Sequence, residues 1–163
     1  MKNYFLPLFA IILFIGTSCQ MGTNPEKEEA ALLDVLYNES AAMLAGDMEA
    51  VFALHTQHEQ ETRLELGVFG YNTYEGWDAV KTLLEDAAPG LKHENIVNVK
   101  ENVVSKVNGN GAWLACDNIW KWNDDGGEQE GYNNLQVVFF EKIKGEWKIS
   151  FASYYTKAVP VQQ

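Results

Sequence analysis

From Ile96 onward the chain reads as β-structure, and the spacing of its turns leaves little choice of topology. Four runs rich in valine, isoleucine and aromatic residues follow one another: 96–107, 112–122, 132–143 and 147–155. Such residues suit a pleated, half-buried surface. Asn108-Gly109-Asn110-Gly111, Asp124-Asp125-Gly126-Gly127 and Lys144-Gly145 separate the runs, and each is a turn signal. Strands joined this tightly pair antiparallel with their neighbours in sequence, which predicts a meander.

The preceding residues carry a helical period. Asn24 is a favoured N-cap, Pro25 suits the first helical position, and Glu26, Glu28 and Glu29 set negative charge against the positive helix end. Leu32, Leu33, Leu36, Tyr37, Met43 and Leu44 recur at three- and four-residue steps up to Gly46. Asp47 caps a second, short helix to about His55, and a third runs from Gly76 to Ala87 before Pro89-Gly90. Leu64, Leu66 and Val68 alternate weakly and predict one edge-like strand over 61–70. Helices first and strands afterwards imply α+β. A long sheet curved around one long helix leaves a cone with an open mouth, a geometry that makes a pocket.

The N-terminus is an address. Lys2 is followed by an apolar run from Tyr4 to Ile15 and then Gly16-Thr17-Ser18-Cys19. The run is well short of the ~20 residues that span a bilayer, and Pro7 interrupts it, so a cleaved signal segment is expected. The stretch resembles a bacterial lipoprotein signal peptide, in which the cysteine takes the lipid and becomes the new N-terminus. That resemblance implies a signal over 1–18, a polar tether over 19–25 with lipid on Cys19, a folded body over 26–157 and a tail over 158–163. The protein would be anchored in the cell envelope, facing periplasm or exterior. With a net charge of -11 the surface repels phosphate backbones, and nucleic acid is not an expected partner. If Cys19 carries lipid, Cys116 has no disulfide partner and packs as a small hydrophobe.

Four local patterns, in order, point to a family: Ala45-Gly46-Asp47-Met48-Glu49-Ala50, Tyr74-Glu75-Gly76-Trp77-Asp78-Ala79-Val80, Gly111-Ala112-Trp113 and Gly145-Glu146-Trp147-Lys148-Ile149. Together they resemble the SnoaL-like branch of the nuclear transport factor 2-like superfamily, over about residues 26–157. The resemblance implies a cone-shaped, cystatin-like α+β fold with three N-terminal helices on a curved, mostly antiparallel sheet. The superfamily hosts isomerases, dehydratases, hydrolases and cyclases as well as binding modules without catalysis, so fold alone does not decide function. Its enzymes place an Asp, Glu or His inside the cone. Many relatives carry histidines after the Trp-basic-Ile element, where Phe151 and Ser153 stand here on the face of Ile149; neither shuttles protons near neutral pH. Domains of this kind often dimerise through the outer sheet face, where Trp113 and Ile119 are expected.

Strict alternation puts Ala112, Leu114, Cys116, Asn118, Trp120 and Trp122 on the inner face, with Asn118 a polar group among apolar neighbours. Tyr132, Asn134 and Gln136 share a face of the next strand, and Trp147, Ile149, Phe151, Ser153 and Tyr155 one of the last. Polar tips beside aromatic bodies suit a small, partly apolar ligand, for which Tyr37, Asn118, Trp120, Tyr132, Asn134 and Ser153 are the candidates. His55, His58 and Glu59 lie in one turn-rich stretch. A histidine beside a carboxylate is the raw material of a base or a metal site, and equally of a solvated loop. No metal or cofactor is predicted. The leading expectation is a lipid-anchored binding or interaction module; the alternative is an isomerase, dehydratase or hydrolase acting on a small cyclic substrate.

Overall fold

A computed structural model describes residues 24–91, 95–124 and 127–156. Cys19, the expected signal segment before it and the expected tail over 158–163 lie outside them, as does the side chain of Tyr132. Helix α1 spans Pro25–Ala45. Asn24 caps it by accepting a hydrogen bond from the Glu26 amide at 3.0 Å, satisfying one of the donors that every helix start leaves open. Gly46, at φ 70°, ends it: the Gly46 and Asp47 amides close on the carbonyls of Met43 and Ala42. Asp47 then caps α2, Met48–Ala53, through the amide of Ala50.

Two strands follow where one was expected. β1, Thr62–Gly67, and β2, Gly70–Glu75, form a hairpin ahead of α3, Trp77–Ala87, and the 3-10 turn Ala88–Leu91. β2 is exposed along nearly its whole length, so no alternation of apolar and polar residues marks it. The predicted meander is present as β3 (Val97–Asn108), β4 (Gly111–Asp124), β5 (Gly127–Ile143) and β6 (Glu146–Thr156). Strand order is β2-β1-β6-β5-β4-β3, antiparallel throughout except that β1 runs parallel to β6. Lys144 and Gly145 both take positive φ between β5 and β6, as the tight hairpin turn requires.

Three irregularities bend the sheet. β3 slips between Glu101 and Val104, β5 gains a residue opposite Trp120, and β6 gains one at Ser150. Each increases local twist and re-aims the side chains beyond it. The α1 residues Leu32 and Leu36 pack against Leu114, Val138, Phe140, Trp147 and Ile149 on the concave face. A second cluster, Met43, Val51, Val80 and Leu84, joins the three helices. The inner phase of β4 is as expected, with Ala112, Leu114, Cys116, Asn118 and Trp120 buried. Ile119, expected on the outer face, is buried as well. The exposed apolar groups on that side include Leu135, Phe139 and Tyr155, with Val97 and Val104 on β3.

The phase of β6 requires a correction. The extra residue at Ser150 reverses the alternation, so Trp147 and Ile149 face the core while Ala152 and Tyr154 take over beyond the bulge. Phe151, Ser153 and Tyr155 therefore point outward, and Phe151 meets Phe139 edge-on at 5.5 Å.

Candidate functional site

On α1, Glu39 lies one turn beyond Leu36 and one before Met43, so the helical period that buries those residues carries it inward too. It is 6% exposed. His55 follows α2, where the chain hooks onto β6: the Leu54 carbonyl accepts from the Ile149 amide, and the Thr56 amide donates to the Ile149 carbonyl. That bridge fixes the backbone and turns the imidazole inward. Its Nε2 lies 3.2 Å from Glu39 Oε1 and its Nδ1 2.5 Å from Glu61 Oε1. Glu61 Oε2 accepts from the Thr56 hydroxyl and the Gln57 amide.

Only an imidazolium can donate from both nitrogens. Burial works against that charge, but the hydrogen bonds to Glu39 and Glu61 outweigh it and raise the His55 pKa to about 9. Burial likewise pushes Glu39 up, yet His55 prevails and holds it below the usual carboxylate range. Glu39 is therefore an ionised group at neutral pH.

Glu39 forms part of the wall of a cavity of about 660 Å³ between α1, the hairpin, α3 and the concave sheet. A polar belt crosses its floor from strand to strand. Lys100 stands opposite Asn118, Asn118 opposite Asn134, and Gln136 opposite Tyr154. Gln136 Nε2 donates to the Tyr154 hydroxyl at 2.8 Å, and burial pushes that hydroxyl above its ordinary range. Arg63 lies over the Tyr154 ring, 4.3 Å from its centre. Lys100 Nζ donates to Asn98 Oδ1 at 2.5 Å and to Asn118 Oδ1 at 2.6 Å. Burial lowers its pKa to about 8. Asn134 Oδ1 is buried and, among the described residues, has no hydrogen-bond partner. Apolar groups complete the lining, among them Leu66, Phe69, Leu84, Leu91 and Trp120.

Of the residues expected from sequence, Asn118, Trp120 and Asn134 line this cavity. Tyr37 does not: it is half-exposed, and its hydroxyl accepts from the Lys100 amide at 3.2 Å, on the side of α1 facing β3. Ser153 is turned away by the β6 bulge. His55 is buried in a carboxylate cluster, but with Glu39 and Glu61 rather than Glu59. His58 and Glu59 are exposed, the solvated-loop reading. The argument drawn from Phe151 and Ser153 passes, with the strand phase, to Ala152 and Tyr154, and a hydroxyl pushed above its ordinary range shuttles no protons near neutral pH either. Sequence reasoning missed Glu39, Glu61, Arg63 and Lys100. For Glu39 there was a signal, a carboxylate on the apolar stripe of a helix. Cys116 is buried as expected, with its thiol pushed up to about 11 by burial. Among the described residues, no group of three or more His, Cys, Asp or Glu is placed to hold a metal ion.

No protein-family model matches the chain. No curated protein matches its sequence either. Solved structures do match its fold. A candidate dehydratase of the nuclear transport factor 2-like family from Streptomyces avermitilis superposes with TM-score 0.66 at 14% identity, over 83% of this chain and 100% of that one. A nuclear transport factor 2-like protein with a cystatin-like fold from Novosphingobium aromaticivorans gives 0.61 at 17%, over 83% and 84%. The association domain of C. elegans CaMKII gives 0.62 at 15%, over 80% and 97%. At these identities the shared property is the fold: an α+β, cystatin-like, nuclear transport factor 2-like cone.

Proposed function

We propose that this chain is a small-molecule-binding domain, held at a membrane of the cell envelope by lipid on Cys19, whose cone takes a compact ligand with an apolar body and a polar end. The observation that carries this reading is the polar belt. Lys100, Asn118 and Gln136 are buried side chains on a cavity floor, and a wall built only for packing has no use for groups so costly to desolvate. The unpartnered Asn134 Oδ1 points the same way, since buried polar atoms are nearly always satisfied. An uncharged dye that brightens in apolar surroundings, N-phenyl-1-naphthylamine, tests it. Its fluorescence should rise with the wild-type chain and not with Ala87→Trp, which sets a large side chain into the lining; no rise, or an equal rise in both, refutes cavity binding.

One other reading rests on Glu39. A carboxylate on the cavity wall, backed by a protonated His55, is placed to take a proton from a small cyclic substrate, as an isomerase or dehydratase would require. Binding stands first because a carboxylate held below its usual range is a weak base. Loss of α-deuterium from a labelled cyclic ketone, catalysed by wild type and not by Glu39→Gln, would reverse that order. The outer face carrying Leu135, Phe139 and Tyr155 is read as a two-fold contact between copies of the chain.

A further inference from the structure

We infer, building on the binding reading above, that the ligand is a carboxylate with an apolar body, its charged end seated between Lys100 and Arg63. Both cations line the cavity, and neither is saturated. Lys100 is buried, and among the described residues no carboxylate comes within ion-pairing distance of its Nζ. Its two hydrogen-bond acceptors are amide oxygens already shared, and the Tyr37 ring centre lies 5.9 Å away. Asn98 Oδ1 also accepts from the Ser40 hydroxyl and Asn118 Oδ1 from Asn98 Nδ2. An ammonium has three N–H groups, so one remains for a ligand.

Arg63 is similarly incomplete. Its Nε sits 3.3 Å from Glu65 Oε1, close enough for an ion pair but off the line of a hydrogen bond. Stacking on Tyr154 occupies one face of the guanidinium and leaves its N–H edge. A planar fork of this kind matches a carboxylate in two-point contact. Of the two carboxylates that line the cavity, Glu39 is already engaged by His55 and Glu65 pairs with the Arg63 Nε. What the belt leaves open is thus mainly donors on cations, whereas the rest of the lining offers Leu66, Leu84 and Trp120 to an apolar body.

Displacement of N-phenyl-1-naphthylamine by octanoate, octan-1-ol and octylammonium, which share one chain length, tests the inference on the intact chain. Octanoate should displace the dye at a concentration at least tenfold lower than the other two. Lys100→Met should remove that advantage, read as the ratio of the octan-1-ol to the octanoate concentration that displaces half of the dye, and Lys100→Arg should restore most of it. If Lys100→Met fails to fold, Asn118→Asp is the substitute: nearly isosteric, it sets a carboxylate beside the ammonium and should abolish the preference equally. Octan-1-ol or octylammonium competing as well as octanoate overturns the assignment and leaves cavity binding standing. So does an advantage that survives in Lys100→Met or, where that variant does not fold, in Asn118→Asp. A dye that never binds removes the cavity reading and this inference together.

Discussion

His55 Nδ1 and Glu61 Oε1 lie 2.5 Å apart in the interior, while the other ring nitrogen faces Glu39. The folded chain therefore keeps the His55 proton to about pH 9, whereas an unfolded chain releases it near 6.5. Across that window the native state binds the extra proton, so the stability that His55 contributes is full below 6.5 and is lost as pH rises toward 9. Lys100, lowered from 10.5 to about 8, acts in the opposite direction only above about pH 8. The melting temperature should accordingly decline from pH 6.5 to 8, and the decline should vanish in His55→Gln. A flat or rising profile in wild type would show that the imidazole is neutral.

Trp147 ties the last strand to the first helix. It is 5% exposed, its Nε1 donates to Glu28 Oε2 at 2.7 Å, and Lys142 Nζ bonds the same carboxylate while lying over the indole ring. Trp147→Ala should cost roughly 3–5 kcal/mol, as truncating buried aromatics does. Trp147→Phe keeps most of the apolar area and loses the charged hydrogen bond, at roughly 1.5–3 kcal/mol. Denaturant midpoints measure both, and equal losses would mean that the indole N–H, not packing, dominates.

Phe139 is 47% exposed at the middle of the outer sheet face, beside Phe151. A two-fold contact there would bury it twice, once from each copy. Phe139→Glu should convert a dimer into a folded monomer, read by light scattering together with circular dichroism. A monomer mass for wild type at micromolar concentration would contradict the contact.

Cys19 offers the thiol that lipid transfer alkylates, and serine does not. Metabolic labelling with a fatty acid should mark wild type and leave Cys19→Ser blank. Equal label on both would place any lipid elsewhere.

The elements legible in the sequence were those whose ends are set by local chemistry. Asn24, Gly46 and Asp47 announce helix boundaries because caps are short-range hydrogen bonds, and Lys144-Gly145 announces a hairpin because few residues tolerate its backbone. What escaped notice depends on partners distant in the chain. Ser150 carries no mark of a bulge, because its extra step is set by register against Phe139 and Phe140; that one residue moved Ser153 out of the site and Tyr154 in. Asn118 and Trp120 were identifiable because β4 keeps strict alternation up to Trp120. Glu39, Glu61 and Lys100 come from a helix, a turn and a strand, and only the closed fold shows that their charges share one region.

The parallel pairing of β1 with β6 has a consequence for timing. Thr62 finds Phe151, and Leu54 and Thr56 find Ile149, only after nearly the whole described chain is available. Arg63 rides on β1 and Tyr154 on β6, so the cavity wall closes at the slowest kind of contact a small domain makes, one between segments far apart in sequence. During synthesis the helices and the early hairpin exist without the surface they will cover. A ligand can reward folding only at its final step, and a chain cut before β6 would keep its helical signals while possessing no site at all.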